Sequence, residues 1–141
     1  MKLTENFTLE ELTASRTADK YNIDNTPTAA EVENLKRLCL HILQPIRDEI
    51  DRQLTVTSGY RCRELNKKVG GVPNSQHVTG DAADITLHSK QANNKLFNVI
   101  ADMIRQGKIT VGQLINEKGG AWLHISNPRQ GKKTNQIIYI N

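Results

Sequence analysis

His77, Asp84 and His124 are the residues in this chain whose types suit one another for chemistry. Two imidazoles and one carboxylate are a common ligand set for a catalytic zinc, which keeps a fourth position for water. His77 and Asp84 stand in Ser75-Gln76-His77-Val78-Thr79-Gly80-Asp81-Ala82-Ala83-Asp84, and His124 in Trp122-Leu123-His124-Ile125-Ser126. His77 and Asp84 are seven residues apart, so they cannot sit on adjacent turns of one helix. Thr79-Gly80 lets the chain bend between a loop that carries His77 and a strand that carries Asp84. If the strands around Asp84 and His124 pair, both side chains meet on one face. Spacing alone leaves that convergence open. His77 also reads as an exposed loop histidine, and His124 as a hydrogen-bonded histidine of a mixed sheet. Asp84, between Ala83 and Ile85, would be odd in a core, because a buried carboxylate needs a partner. His41, inside a helix, and His88, just past a strand end, read as bystanders.

The elements that must position these residues follow from local signals. Thr8 and Glu11 have capping-box spacing, and Phe7 with Leu12 has staple spacing, so a short helix is expected over about Leu9 to Ala14. A polar connection runs to Thr26-Pro27. A second box, Thr28 with Glu31, opens the longest helix, along which Val32, Leu35, Cys39, Ile42, Ile46 and Ile50 form one apolar stripe. Pro45 should kink it near His41. Leu54 to Thr57 alternates as a strand, Arg61 to Lys67 makes a helical turn or two, and Gly70 to Asn74 is a loop. Ala82 to Leu87 reads as a strand with Asp84 facing away from Ile85 and Leu87. A helix follows from about Lys90 to Gln106, with Gly107 at its end. Val111 to Ile115, Trp122 to Ser126 and Gln136 to Ile140 are the last strands. Helices gather early and strands late, which predicts an α+β fold: a mostly antiparallel sheet with helices packed on one face and the polar site on the other.

At 141 residues, a single domain spanning 1–141 is expected, large enough to bury a core without a metal or disulfide staple. Zinc here would serve chemistry rather than folding. The net charge of +4 favours anionic surfaces in general, whether wall polymer or nucleic acid. No zinc finger, aromatic-basic repeat or long cationic run supports a nucleic-acid module, so no nucleic acid is expected. Arg129 to Lys133 reads as a solvated turn. Cys39 falls on the apolar stripe as a small buried side chain, and Cys62, between Arg61 and Arg63, lacks a nearby histidine for catalysis. The polar start Met1 to Asn6 shows no signal peptide, and no stretch suits membrane insertion. Synthesis in the cytoplasm and a monomer are expected.

Taken in order, Ser58-Gly59-Tyr60-Arg61, Leu65-Asn66, Val69-Gly70-Gly71, Ser75-Gln76-His77, Gly80 to Asp84, Gln113 to Glu117 and Trp122 to Ser126 resemble the M15 zinc peptidases, in the D-alanyl-D-alanine carboxypeptidase-like branch of bacteria and phages. The resemblance covers about Thr57 to Ser126 well and the N-terminal helices loosely. It implies the Hedgehog/D-Ala-D-Ala peptidase-like fold, a Zn2+ cofactor held by His77, Asp84 and His124, and a substrate-binding arginine at Arg61. It implies hydrolysis of peptidoglycan stem peptides, as a carboxypeptidase or an endopeptidase, cutting D,D or L,D bonds. A phage lysis enzyme that acts at the cell wall would fit. Ser75 is a candidate for orienting the substrate backbone, and a self-capping loop serine is the competing reading.

The pattern departs from many relatives at one position. Where they carry an acid three residues before the last histidine, this chain has Ala121. A zinc peptidase needs a base for its water. Glu117, followed by Lys118-Gly119-Gly120, is the first candidate, and Asp81 the second, with buttressing of a histidine as its other role. Two non-enzyme readings stay alongside: a noncatalytic wall-peptide-binding module and a phage structural protein.

Overall fold

Thr8 caps α1 (Leu9–Thr13) by accepting the Glu11 amide, and the Glu11 carboxylate returns to the Thr8 amide. Phe7 and Leu12, the staple pair, are both buried. This computed structural model describes residues 1–141. The connection that follows holds one helix that sequence periodicity does not announce, α2 (Arg16–Lys20), started by Ser15 accepting the Ala18 amide at 3.1 Å. Thr28 and Glu31 form the second capping box and open α3 (Ala29–Leu38).

The expected interruption near His41 takes the form of a π-helical segment, Cys39–Leu43, before α4 (Gln44–Ile50). Pro45 cannot donate a backbone hydrogen bond, and its ring crowds the carbonyl four residues back. Gln44 instead donates to Cys39, five residues back, which absorbs the conflict without ending the helical run. Leu35, Cys39, Ile42 and Ile46 of the apolar stripe are buried, and Leu38 and Leu43 widen it.

The sheet is built from β1 (Thr55–Ser58), β2 (Ala82–Thr86), β3 (Gln113–Glu117), β4 (Trp122–Ser126) and β5 (Gln136–Tyr139), in the order β1-β2-β4-β3-β5. β1–β2, β2–β4 and β4–β3 are antiparallel, and β5 runs parallel to β3. Two further helices, α5 (Arg63–Lys68) and α6 (Lys90–Arg105), complete the chain. Alternation sends Ala83 and Ile85 of β2, Leu123 and Ile125 of β4 and Leu114 of β3 into the core. Leu96, Ile100 and Met103 of α6 meet them there, with the long helix and Leu12 of α1. The fold is α+β, with helices packed on one face of the sheet. The opposite residues of the same strands, Asp84, His124, Ile115 and Glu117, face the site. No helix is long and apolar enough to cross a membrane.

Candidate metal centre

Register brings the ligands together. Asp84 on β2 is directly opposite His124 on β4, so the two residues separated by 40 positions share one face. His77 arrives from a short 3-10 segment, Gln76–Thr79, which Ser75 caps by accepting the His77 amide at 3.2 Å. Gly80 then turns the chain into β2 with φ at 77°. A Cβ there would lie 2.7 Å from the Glu31 carbonyl oxygen, so both backbone shape and the approach of α3 demand glycine.

The three side chains converge with ligand atoms all within 4.8 Å of one another. Asp84 Oδ1 lies 3.3 Å from His77 Nε2 and 3.1 Å from His124 Nδ1. The outward nitrogens are both engaged: His77 Nδ1 with the Gly59 carbonyl at 2.7 Å, and His124 Nε2 with Gln76 Oε1 at 2.7 Å. Each oxygen accepts, so each outward nitrogen carries the proton and each inward nitrogen offers a lone pair. Two atoms bound at 2.0–2.1 Å to one tetrahedral ion would lie about 3.3 Å apart, close to both observed separations. Two nitrogens and one carboxylate oxygen are a donor set that zinc accepts. Burial pushes the Asp84 carboxyl up, but the adjacent imidazoles of His124 and then His77 outweigh it. The net direction is well below the usual carboxylate range, which keeps a ligand ionised.

The centre opens on two sides. His124 and Glu117 line a cleft of about 670 Å³, together with Ser75 and Gln76. Asp84 and Arg61 line a second cavity of about 640 Å³. Glu117 pairs with Trp122, one alternate position along from His124 on the same face, a diagonal that long side chains span. The Lys118 to Ala121 turn is closed by the Gly120 and Ala121 amides donating to the Glu117 carbonyl. It is pinned to α6 by Asn93, which donates to the Gly120 carbonyl at 2.9 Å, and by Asn94, which donates to that of Gly119. Ala121 is exposed in this turn.

Arg61 is half-buried, its amide donating to the His77 carbonyl at 3.0 Å and its Nε buried without a partner. Burial lowers its pKa, against the opposing charge of Asp84. Asn25, which sequence reasoning passed over, holds the backbone on both sides by donating to the Tyr60 carbonyl and accepting the Cys62 amide. A side chain at Gly71 would collide with the Asn66 amide and crowd the Arg61 guanidinium at 3.2 Å, so glycine leaves both their room.

Asp81 stands apart from the histidines. Its carboxylate accepts from Thr79 at 2.6 Å and Asn127 at 3.1 Å and pairs with Arg129 at 3.4 Å, which ties the His77 segment to the chain after β4. His41 and His88 are exposed and outside the cluster. The Arg129 to Lys133 segment is a largely exposed turn, as expected, and Arg129, Lys132 and Lys133 also line the cleft beside Glu117. Gln76, the partner of His124, is a second site residue that local sequence did not single out.

No curated protein sequence matches this chain significantly. The profile of the family described as Peptidase M15 matches residues 5–126, which span α1 through β4 and contain the whole triad. This chain therefore belongs to the M15 peptidases, metal-dependent hydrolases of peptidoglycan peptides, and carries a metal-binding triad of His77, Asp84 and His124.

Proposed function

We propose that the chain is a zinc peptidase of peptidoglycan stem peptides, with Glu117 as its general base and Arg61 as its substrate anchor. The observation that carries this reading is the Asp84–His124 pairing across β2 and β4, with Glu117 on the same face and in the same cleft as His124. Zinc, held by His77, Asp84 and His124, would supply Lewis acidity toward the scissile carbonyl and the attacking water. Glu117 takes the proton of that water and delivers it to the departing amine. Arg61, which lines the cavity beside Asp84, binds a substrate carboxylate or carbonyl and helps hold the developing oxyanion. Ser75 orients the substrate backbone from the cleft wall while it caps the His77 segment. The substrate is a stem peptide or its D-Ala-D-Ala terminus, and the place of action is the cell wall, as for a phage lysis enzyme.

The deciding experiment is digestion of purified peptidoglycan by zinc-loaded protein, followed by mass analysis of the soluble products. Release of free D-alanine identifies a carboxypeptidase, and loss of cross-linked fragments an endopeptidase. A wall left intact by fully zinc-loaded protein overturns the enzyme reading in favour of a wall-binding module. Copurification with tail or capsid components and no cleavage points instead to a structural protein.

A further inference from the structure

The residues after 126 lie beyond the M15 match, and they build the charged wall of the catalytic cleft. This segment is pinned at both ends. Arg129 donates to Thr79 at 2.6 Å and pairs with Asp81. Asn135 accepts the Val111 amide at 2.9 Å, and Gln136 accepts from Gln113 at 3.0 Å as β5 begins. Between the anchors, Lys132 and Lys133 line the cleft, are exposed, and make no side-chain hydrogen bond or ion pair. Glu117 is the one carboxylate on the cleft wall, so the two lysines have no acidic neighbour there except the proposed base.

We propose that Lys132 and Lys133 form a subsite for a substrate carboxylate remote from the scissile bond, which makes the enzyme selective for anionic stem peptides. The proposal rests on the peptidase reading above. Arg61 opens on the other cavity, beside Asp84, so a terminal group held by Arg61 is not the group that meets the lysines. A peptide seated across the metal centre reaches both cavities, and on the lysine side it meets two cations held on an anchored loop. Ammonium groups recognise carboxylates as point charges and tolerate varied geometry. Exposed pairs are weak one by one, so two of them should give about three- to tenfold selectivity, screened by salt.

The test uses zinc-loaded parent protein and a Lys132→Gln/Lys133→Gln variant. The probes are a soluble stem pentapeptide with a free α-carboxylate on its γ-linked D-glutamate, the same peptide with that group as carboxamide, and the free-carboxylate peptide amidated at its C-terminus. Both kcat/KM and the binding affinity are measured at low and high salt. The parent should favour the first peptide over its carboxamide by about three- to tenfold, through KM, and lose the preference in high salt. The variant should show no preference, with unchanged zinc content and unchanged kcat on the carboxamide peptide. Lys132→Glu/Lys133→Glu should reverse the order. A preference kept by the glutamine variant overturns the subsite, as does a lysine-dependent preference that follows the C-terminal group alone. If the parent cleaves both peptides equally, the subsite fails and the peptidase stands. If it binds the carboxylate form selectively but cleaves neither, the peptidase reading fails and the subsite stands. Neither binding nor cleavage removes both.

Discussion

Gln76 Oε1 lies 2.7 Å from His124 Nε2, and this contact decides which imidazole nitrogen faces Asp84. An amide oxygen only accepts, so Nε2 holds the proton and Nδ1 keeps its lone pair, 3.1 Å from Asp84 Oδ1. His77 is oriented the opposite way round, with Nδ1 on the Gly59 carbonyl and Nε2 inward. The two histidines thus present different nitrogens to one point. Partners of this kind commonly contribute tenfold to a hundredfold in metal affinity. Gln76→Ala should therefore weaken zinc binding by about 10–100-fold, while Gln76→Glu, which keeps an acceptor, should bind within a few-fold of the parent. Competition with a chromogenic chelator measures both. His124→Ala, as the reference, should lose the ion outright, and equal affinity in Gln76→Ala and parent would refute the orienting role.

Glu117 should be separable from the metal. It sits in the cleft with His124 but outside the cluster of converging ligand atoms. Glu117→Gln removes the base and keeps the shape, so zinc content should stay near one ion per chain while turnover falls by about 10²–10⁴. Asp81→Asn is the control, because its carboxylate is occupied by Thr79, Asn127 and Arg129. That change should lower stability and leave the pH profile of kcat unmoved. Activity of Glu117→Gln equal to the parent would transfer the proton step to another group.

What was legible in the sequence was what local chemistry decides. The boxes Thr8/Glu11 and Thr28/Glu31 each close within one turn, and both form. The alternation Asp84-Ile85 and Leu123-His124-Ile125 reveals which side chains share a face, and the strands pair in the register that this needs. Non-local or unpatterned features stayed hidden. Gln76 reaches His124 across 48 residues, and Asn25 reaches Tyr60 across 35. The five-residue α2 is too short to show a period, so only its Ser15 cap hints at it. The basic turn is exposed, as its composition suggests, but its place on the cleft wall is non-local: it depends on β5 pairing with β3 and on Arg129 reaching Asp81.

Cys39 makes stability depend on alkaline pH. Burial, and then the charge of Glu11, push its thiol from 9.0 up to about 12. The folded state therefore keeps a proton that the unfolded chain releases above about pH 9. Its contribution is complete below pH 9 and is lost as pH rises from there toward 12. Tyr60, raised by burial and then by the nearby Glu31 carboxylate, acts in the same direction. Urea unfolding should show a loss of about 1–3 kcal/mol between pH 8 and pH 11. Cys39→Ala starts less stable because of the cavity, but its slope over that interval should be shallower. At pH 8 one thiol, Cys62, should alkylate in the native protein, and both after unfolding. Equal slopes in the two proteins would place the ionising group elsewhere.

Arg61 should govern substrate recognition rather than folding or metal binding. Its backbone is held by His77 and by Asn25 on either side, so the side chain adds little to the frame. Arg61 lines the cavity beside Asp84, where its guanidinium fork can receive a substrate oxygen. Arg61→Lys keeps the charge and loses the planar fork, so kcat/KM on a stem-peptide fragment should fall by about tenfold or more. Arg61→Ala should fall further, on the order of 10²–10³, with zinc content intact. If the guanidinium grips only the bound ground state, the loss lies in KM; if it also holds the developing oxyanion, kcat falls as well. Arg61→Ala with kcat/KM equal to the parent would return the residue to a half-buried structural charge. The lysine subsite makes the two contributions distinguishable: Arg61 variants should lose activity on carboxylate and carboxamide peptides alike, whereas lysine variants should lose only the difference between them.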